Sequence, residues 1–482
     1  MPKSSPNYLH ETNLRSKIVA TIGPSSCSKE VLQKMIDNGV HVLRLNMTHM
    51  SREFAKEIIS NIRSLACADE IGIWVDVNGP KIRCGKLVEG KPVFLEEGQD
   101  FTFLNDPNAV GDNTRCATSY SEHIVRSGDK IYVDDGMLCF TVVERVEEGV
   151  LCKVDNSGWL GENKGINLPR HFLDLATITQ KDKLDIQFAM ENKCDFLSIS
   201  CIRDVSDVEE LRLLLGDSKI RLIAKIENSR GVTNFSSILS MADLIVIDRG
   251  YLGAELDAEF VPVAQKKMIA ECNAAGKPVV IANQVLESMT TRPRPSRSEA
   301  ADVSNAVADG TDGFVLSAET AVGKYVIETI QTMRKIAYQA ENQTNYLEYQ
   351  QKMMRSQPKP IAVSESIASS AVTCARQVGA KLIVCFTELG GTARLVAKYR
   401  PEITIIGATM MPQTAKQLNL CFGVVPYHHK GTDSDIVNET LKYAVSLGLT
   451  KAGDIVVITS GQVIGFLEGT TTKMQLLTVP SF

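Results

Sequence analysis

The chain has 482 residues, 44% of them apolar and 23% charged, the balance of a soluble globular protein whose length suggests about three domains. Its net charge of -5 gives no basic footprint for nucleic acid or an anionic membrane surface, and no apolar run approaches the roughly 20 residues that span a bilayer. Twelve cysteines lie scattered without Cys-x-x-Cys or Cys/His spacing and read as reduced thiols; the polar N-terminus, residues 1–6, has no signal-peptide core, so the expected address is the cytoplasm.

From the N-terminus the chain repeats an apolar strand, a polar turn and an amphipathic helix. Strands are expected at 17–21, 40–46, 71–77, 196–200, 221–227, 244–249, 278–283 and 313–319. Helices are expected at 28–37, 51–65, 181–191, 205–215, 261–275 and 299–309. Eight such units over about 250 residues have the rhythm of a (β/α)8 barrel, a TIM barrel. A doubly wound open sheet is the alternative, but no G-x-G-x-x-G follows the first strand.

Between the third and fourth strands the rhythm breaks. Short alternating segments at 91–96, 100–104, 130–133, 138–143 and 150–154 are separated by turn signals such as Asp135-Gly136, which predicts a small β-barrel domain inserted in a barrel loop. The polar stretch 341–360 reads as a helix tail and a linker. Helices at 364–378, 392–399 and 435–447 and strands at 382–387, 403–408, 454–459 and 474–479 then form a C-terminal α/β domain. The expected division is a barrel at 1–83 and 165–342, a cap at 84–164 and a third domain at 343–482.

Chemistry in such a barrel sits at the C-terminal ends of the strands. The fifth strand runs Leu-Ile-Ala-Lys-Ile-Glu-Asn over 222–228, so Lys225 and Glu227 point the same way. By itself that pair reads first as a structural ion pair. The other strand ends supply Thr21, Arg44, Asn46, Asp76, Ser198, Ser200, Asp248, Arg249, Asn283, Ser317 and Glu319. Cations and carboxylates converging on one mouth suit a phosphorylated or carboxylated substrate with a divalent cation.

The segments KIVATIGP (17–24), LRLNMTH (43–49), DVNGPKIR (76–83), KGINLP (164–169), KIEN (225–228), QVLESM (284–289) and LSAETA (316–321) occur in the order and spacing of one family. On them the chain resembles pyruvate kinases along essentially its whole length. The resemblance implies a barrel with a β cap and a C-terminal α/β regulatory domain. It implies phosphoryl transfer from phosphoenolpyruvate to ADP, giving pyruvate and ATP, in a cytoplasmic homotetramer. Lys225 would stabilise the transferring phosphoryl, Glu227 would hold Mg²⁺ or Mn²⁺, and Arg44 would grip phosphate. Gly250, Tyr251 and Asn283 would line the substrate site; Asn46, His49, Arg83 and Lys164 would meet the nucleotide. Asn46, Thr48, Asp76 and Val77 match a K⁺ site, and residues 387–392 match a site for a phosphorylated effector.

Several positions depart from the family's pattern. Its Ala-Arg-Gly-Asp-Leu-Gly loop here reads Asp248-Arg249-Gly250-Tyr251-Leu252-Gly253, which puts a phenol where a second metal carboxylate is expected. A phenol is a poor Mg²⁺ ligand near pH 7 because it stays protonated. Asp248 either reaches the metal by another route or repels the substrate carboxylate. A threonine hydroxyl that helps protonate the enolate is replaced by Asn283, and a phenylalanine by Cys201. A glutamate is replaced by Lys81, whose ammonium can stand in for K⁺, so K⁺ is expected to be dispensable. Glu388 adds a negative charge in the effector loop. The two readings these positions leave are a pyruvate kinase, of full or reduced activity, and a catalytically impaired paralogue acting as a ligand-binding or regulatory partner.

Overall fold

The structure is a computed structural model that describes residues 14–118, 125–168, 176–432, 435–461 and 471–482. The polar N-terminus at 1–6 and Pro169 of the KGINLP segment lie outside the described residues. Strands Lys17–Thr21, Val42–Asn46, Gly72–Val77, Phe196–Ile199, Arg221–Ile226, Leu244–Asp248, Val279–Ala282 and Gly313–Leu316 pair in parallel, in sequence order, and the eighth closes on the first. They are runs of Val, Ile and Leu because both faces are covered. Outside lie helices such as Lys29–Asp37, Arg52–Arg63 and Gln180–Glu191, whose N-termini are capped by Ser28, Ser51 and Thr179.

Inside, Val19, Val42, Trp74, Phe196, Ile223, Val246, Val280 and Val315 form one packed cluster. Alternation then decides what stands above it. Two residues beyond an inward apolar side chain comes another inward one: Arg44 above Val42, Asp76 above Trp74, Ser198 above Phe196, Lys225 above Ile223, Asp248 above Val246. The same period that fills the barrel builds its polar mouth.

Five of the eight strands end one to three residues before the expected position, at Ile199, Ile226, Asp248, Ala282 and Leu316. Arg249 opens the helix Arg249–Glu255 rather than ending a strand. The eighth strand stops at Leu316, and Glu319 sits in the short helix Ala318–Ala321, where it accepts from the backbone N–H groups of Leu286 and Ser317. Glu319 is therefore a loop-fixing carboxylate. The stretch read as a linker holds a second helix, Tyr346–Ser356, capped by Asn345. Its buried residues Tyr346, Gln350 and Met353 follow helical spacing, but one of the three is polar, which masks the stripe.

The inserted segment forms a seven-stranded sheet with edge strands Ile82–Arg83 and Arg115–Ala117. Those edges meet through an antiparallel bridge from Cys84 to Thr118, so the small barrel closes on that contact. Phe101, Phe103 and Phe140 fill it, with ring centroids 5.0 to 5.3 Å apart. The C-terminal segment carries a five-stranded sheet that adds a strand the sequence reading lacks, Val424–His428. This sheet docks under the barrel, opposite the mouth. Lys17 Nζ donates to Val424 O at 2.7 Å, and Arg400 meets both oxygens of Asp312 at 3.0 Å. Nearby, the buried Asp195 accepts from the Ile73 N–H at 2.9 Å. Among the described residues no helix is long and apolar enough to cross a membrane.

Candidate active site

At the mouth of the barrel, Lys225 is the hub. Its Nζ lies 2.7 Å from Glu227 Oε1, 3.4 Å from Asp76 Oδ2 and 3.4 Å from Asp248 Oδ2, and it donates to Ser200 Oγ at 3.1 Å. Arg44 faces the same carboxylate of Asp76 through Nε at 2.9 Å and through Nη2, while its Nη1 donates to Thr21 Oγ1 at 2.9 Å. Ser198 completes Asp76 by donating to Oδ1 and in turn accepts from Trp74 Nε1 at 2.6 Å. All these groups are buried. They stay charged by mutual contact, as buried charges must.

Burial works against the ionised form of each, and the neighbours decide the outcome. For Lys225, Asp76 and then Glu227 outweigh burial and hold the ammonium above its ordinary value. For Glu227, Lys225 and then Lys81 outweigh burial and press the carboxyl well below its ordinary range. Asp248 goes the other way: burial, and then the charge of Glu227, push it up to about 6.

Lys81 occupies a place the sequence did not foresee. Its Nζ lies 2.9 Å from Glu227 Oε2 and 3.3 Å from the centroid of the Tyr251 ring. The connection leaving the third strand aims it there. Gly79 has φ 66, and a Cβ on it would stand 2.5 Å from the Ser200 carbonyl oxygen, so only glycine lets the chain turn so close to the mouth. Cys201, at φ 62, adds its N–H at 3.2 Å and its Sγ at 3.3 Å to the same Glu227 oxygen. Beside this group a cavity opens, lined by Lys81, Ile166, Asn167, Cys201, Arg203 and Tyr251, on the side where the family's phenylalanine is missing.

On the facing side, Asn283 donates its amide to Asp248 Oδ1 and accepts the Ser317 hydroxyl at 2.8 Å. Arg249 leaves the mouth, donating to the carbonyls of Asn283 and Gln284 at 3.0 and 2.7 Å and pairing with Asp302. Gly250 lies under the cap: a Cβ there would stand 3.0 Å from Asp135 Oδ2. Asp135 is a site residue that sequence reasoning missed. Its only signal is the Asp135-Gly136 turn, and that signal predicts the bend without saying that the carboxylate reaches the barrel.

The nucleotide candidates gather on the opposite flank. Arg83 donates to Asn163 O at 2.8 Å and to Asn78 Oδ1 at 3.3 Å; Lys164 pairs with Asp134 at 2.9 Å. Burial, and then the nearby charges of Arg83, Arg44 and Lys164, hold the His49 imidazole below its usual value. Of the K⁺ candidates, Asn46 Oδ1 accepts the Thr48 N–H at 3.1 Å, Thr48 Oγ1 meets Asn78 Oδ1 at 3.0 Å, and Val77 is a buried strand residue. The Asp76 carboxylate is fully engaged by Arg44, Lys225 and Ser198. In the 387–392 loop, Leu389 O accepts from Arg221 Nη2 at 2.8 Å, and Thr392 Oγ1 lies 2.6 Å from Thr471 Oγ1.

The residues at Glu227 do not fit a protein-held divalent ion. Each Glu227 oxygen already faces an ammonium, and the neighbouring loop offers a phenol in place of a carboxylate. Among the described residues no group of three or more His, Cys, Asp or Glu side chains is arranged to hold a metal.

Two family models match the chain: pyruvate kinase, barrel domain, over residues 13–330, and pyruvate kinase, alpha/beta domain, over residues 365–476. A pyruvate kinase of Dictyostelium discoideum is 42% identical, over 97% of this chain and 95% of its own. One from Schizosaccharomyces pombe is 39% identical, over 96% and 94%, and a cytosolic isozyme from Glycine max is 39% identical, over 92% and 93%. A crystal structure of a pyruvate kinase from Cryptosporidium parvum superposes with a TM-score of 0.88 at 37% identity, over 99% of this chain and 98% of that one.

Proposed function

Because the chain belongs to the pyruvate kinase family, we propose that it transfers the phosphoryl group of phosphoenolpyruvate to ADP. The bond from phosphorus to the enol oxygen breaks, and a bond to the terminal β-phosphate oxygen of ADP forms. The enolate takes a proton on carbon, and the products are pyruvate and ATP. The observation that carries this reading is Lys225, fixed among Asp76, Glu227 and Asp248 at the end of the fifth strand.

Phosphoryl transfer asks a protein for positioning and for cations against the equatorial oxygens. Lys225 supplies a preorganised point charge and Arg44 a rigid fork. Gly250 and Tyr251 border the phosphoenolpyruvate pocket from the helix that follows the sixth strand. Asn283 is an amide and no acid, so the enolate carbon is protonated by water. Asn46, His49, Arg83 and Lys164 face the nucleotide.

Pyruvate kinases use a divalent metal. Mg²⁺ or Mn²⁺ would be held by phosphate oxygens of the nucleotide, since Tyr251 offers no carboxylate, and would supply charge neutralisation there. K⁺ is not required, since the Asp76 carboxylate is engaged by Arg44 and Lys225. Residues 84–164 act as the cap and 343–482 as a regulatory domain, in a cytoplasmic homotetramer, with residues 387–392 as the place for a phosphorylated effector. The test is a coupled assay of pyruvate formation from phosphoenolpyruvate and ADP with Mg²⁺ or Mn²⁺. Pyruvate formation that requires both substrates is expected; none with either metal overturns the proposal.

A further inference from the structure

We propose that Lys81 is a built-in cation of the phosphoenolpyruvate site, holding at Glu227 the place a divalent ion would take, so that this substrate binds without a protein-held metal. The inference rests on the functional reading above and goes beyond it.

Both Glu227 oxygens face an ammonium: Oε1 lies 2.7 Å from Lys225, an ion pair without a hydrogen bond, and Oε2 lies 2.9 Å from Lys81. A hard divalent ion there would have to displace an ammonium from each oxygen it took, and the loop position where a second carboxylate is expected holds Tyr251, which presents its ring face to Lys81 at 3.3 Å. That ring face is the right partner for an ammonium and the wrong one for Mg²⁺. The charges at the mouth are already matched, with Arg44, Lys225 and Lys81 against Asp76, Glu227 and Asp248. An added divalent ion at Glu227 meets two ammonium groups within contact distance of that carboxylate.

The lysine is also placed to stay. Its side chain is 6% exposed, its backbone direction follows from the turn at Gly79, and the Cys201 N–H and thiol brace the same Glu227 oxygen. Lys81 and Tyr251 depart from the family's pattern together, and they touch each other. One contact thus accounts for both departures.

The experiment uses the full chain, free of nucleotide. Phosphoenolpyruvate binding is measured by calorimetry in EDTA and again with Mg²⁺, and Mn²⁺ binding by electron paramagnetic resonance. The expected result is a phosphoenolpyruvate affinity that agrees within about threefold in the two media, and no saturable Mn²⁺ site tighter than about 1 mM. Lys81→Met should weaken phosphoenolpyruvate binding in EDTA by about tenfold or more. Lys81→Glu with Tyr251→Asp should create a saturable Mn²⁺ site and make phosphoenolpyruvate binding depend on it. A parent protein that holds Mn²⁺ at micromolar concentration and binds phosphoenolpyruvate only with it overturns the inference and leaves the functional reading standing. Failure to bind phosphoenolpyruvate in either medium removes the functional reading, and this inference with it.

Discussion

Asn283 clamps Asp248: its amide donates to Oδ1, and its own oxygen is held by the Ser317 hydroxyl at 2.8 Å. The residue has φ 62, a left-handed conformation that Asn tolerates and β-branched residues resist. Asn283→Thr, although it restores the family's residue, is therefore expected to cost on the order of 1–2 kcal/mol in stability. Asn283→Gly spares the backbone and loses only the clamp, so it should cost less. Urea unfolding midpoints of the two variants check this; a threonine variant as stable as the parent contradicts it.

Lys225 meets carboxylates on three strands or their ends, Asp76, Glu227 and Asp248. Lys225→Met should lower kcat/KM for pyruvate formation by about 10² to 10³, the usual loss for one preorganised charge. It should also destabilise the fold, because it strands buried carboxylates. Turnover within about threefold of the parent, in a variant whose circular dichroism is native, would remove Lys225 from the mechanism.

Activity is expected to be indifferent to K⁺. The Asp76 oxygens are taken by Arg44, Lys225 and Ser198, and Asn46 Oδ1 is taken by the Thr48 N–H. Rates in Tris buffer at fixed ionic strength, with KCl exchanged for NaCl, decide the matter. A large stimulation by K⁺ alone would show that these oxygens rearrange to admit it.

The barrel was legible because its strands are continuous apolar runs and its polar residues sit at fixed offsets above them. Arg44, Asp76, Lys225 and Asp248 could be placed at one mouth from period two alone. What the sequence hid depends on contacts between segments far apart in the chain. Lys81 invites a role as a K⁺ substitute, yet its ammonium is delivered to Glu227 and Tyr251 by a turn whose geometry only the fold specifies. Asp135 belongs to the cap and approaches Gly250 across the domain boundary, which no local pattern encodes. Arg249 and Glu319 look like strand-end site residues, but the strands stop earlier and both side chains hold backbone. The helix Tyr346–Ser356 escaped because Gln350 stands in its buried stripe.

Under the barrel, Asp195 provides a pH signature independent of the active site. It is 2% exposed, accepts from the Ile73 N–H at 2.9 Å, and burial pushes its carboxyl up to about 7, against the opposing pull of Lys416. In the unfolded chain the group titrates near its ordinary value of about 4. Between those two values the native state binds more protons than the unfolded state, so stability falls as pH rises through the window from about 4 to 7. Glu227 and Asp76 are depressed, so their stabilisation is present above the ordinary carboxyl range and lost on acidification below it. That contribution is common to the parent and an Asp195 variant and cancels in their difference. Asp195→Asn keeps an oxygen for the Ile73 N–H and removes the titration. The variant should therefore match the parent near pH 4.5 and exceed it at pH 8 by on the order of 2–4 kcal/mol. Urea melts of both proteins at pH 4.5, 6 and 8 measure the difference. A gap that stays constant with pH means that Asp195 does not titrate in this window, and that its carboxylate is ionised in the folded protein throughout.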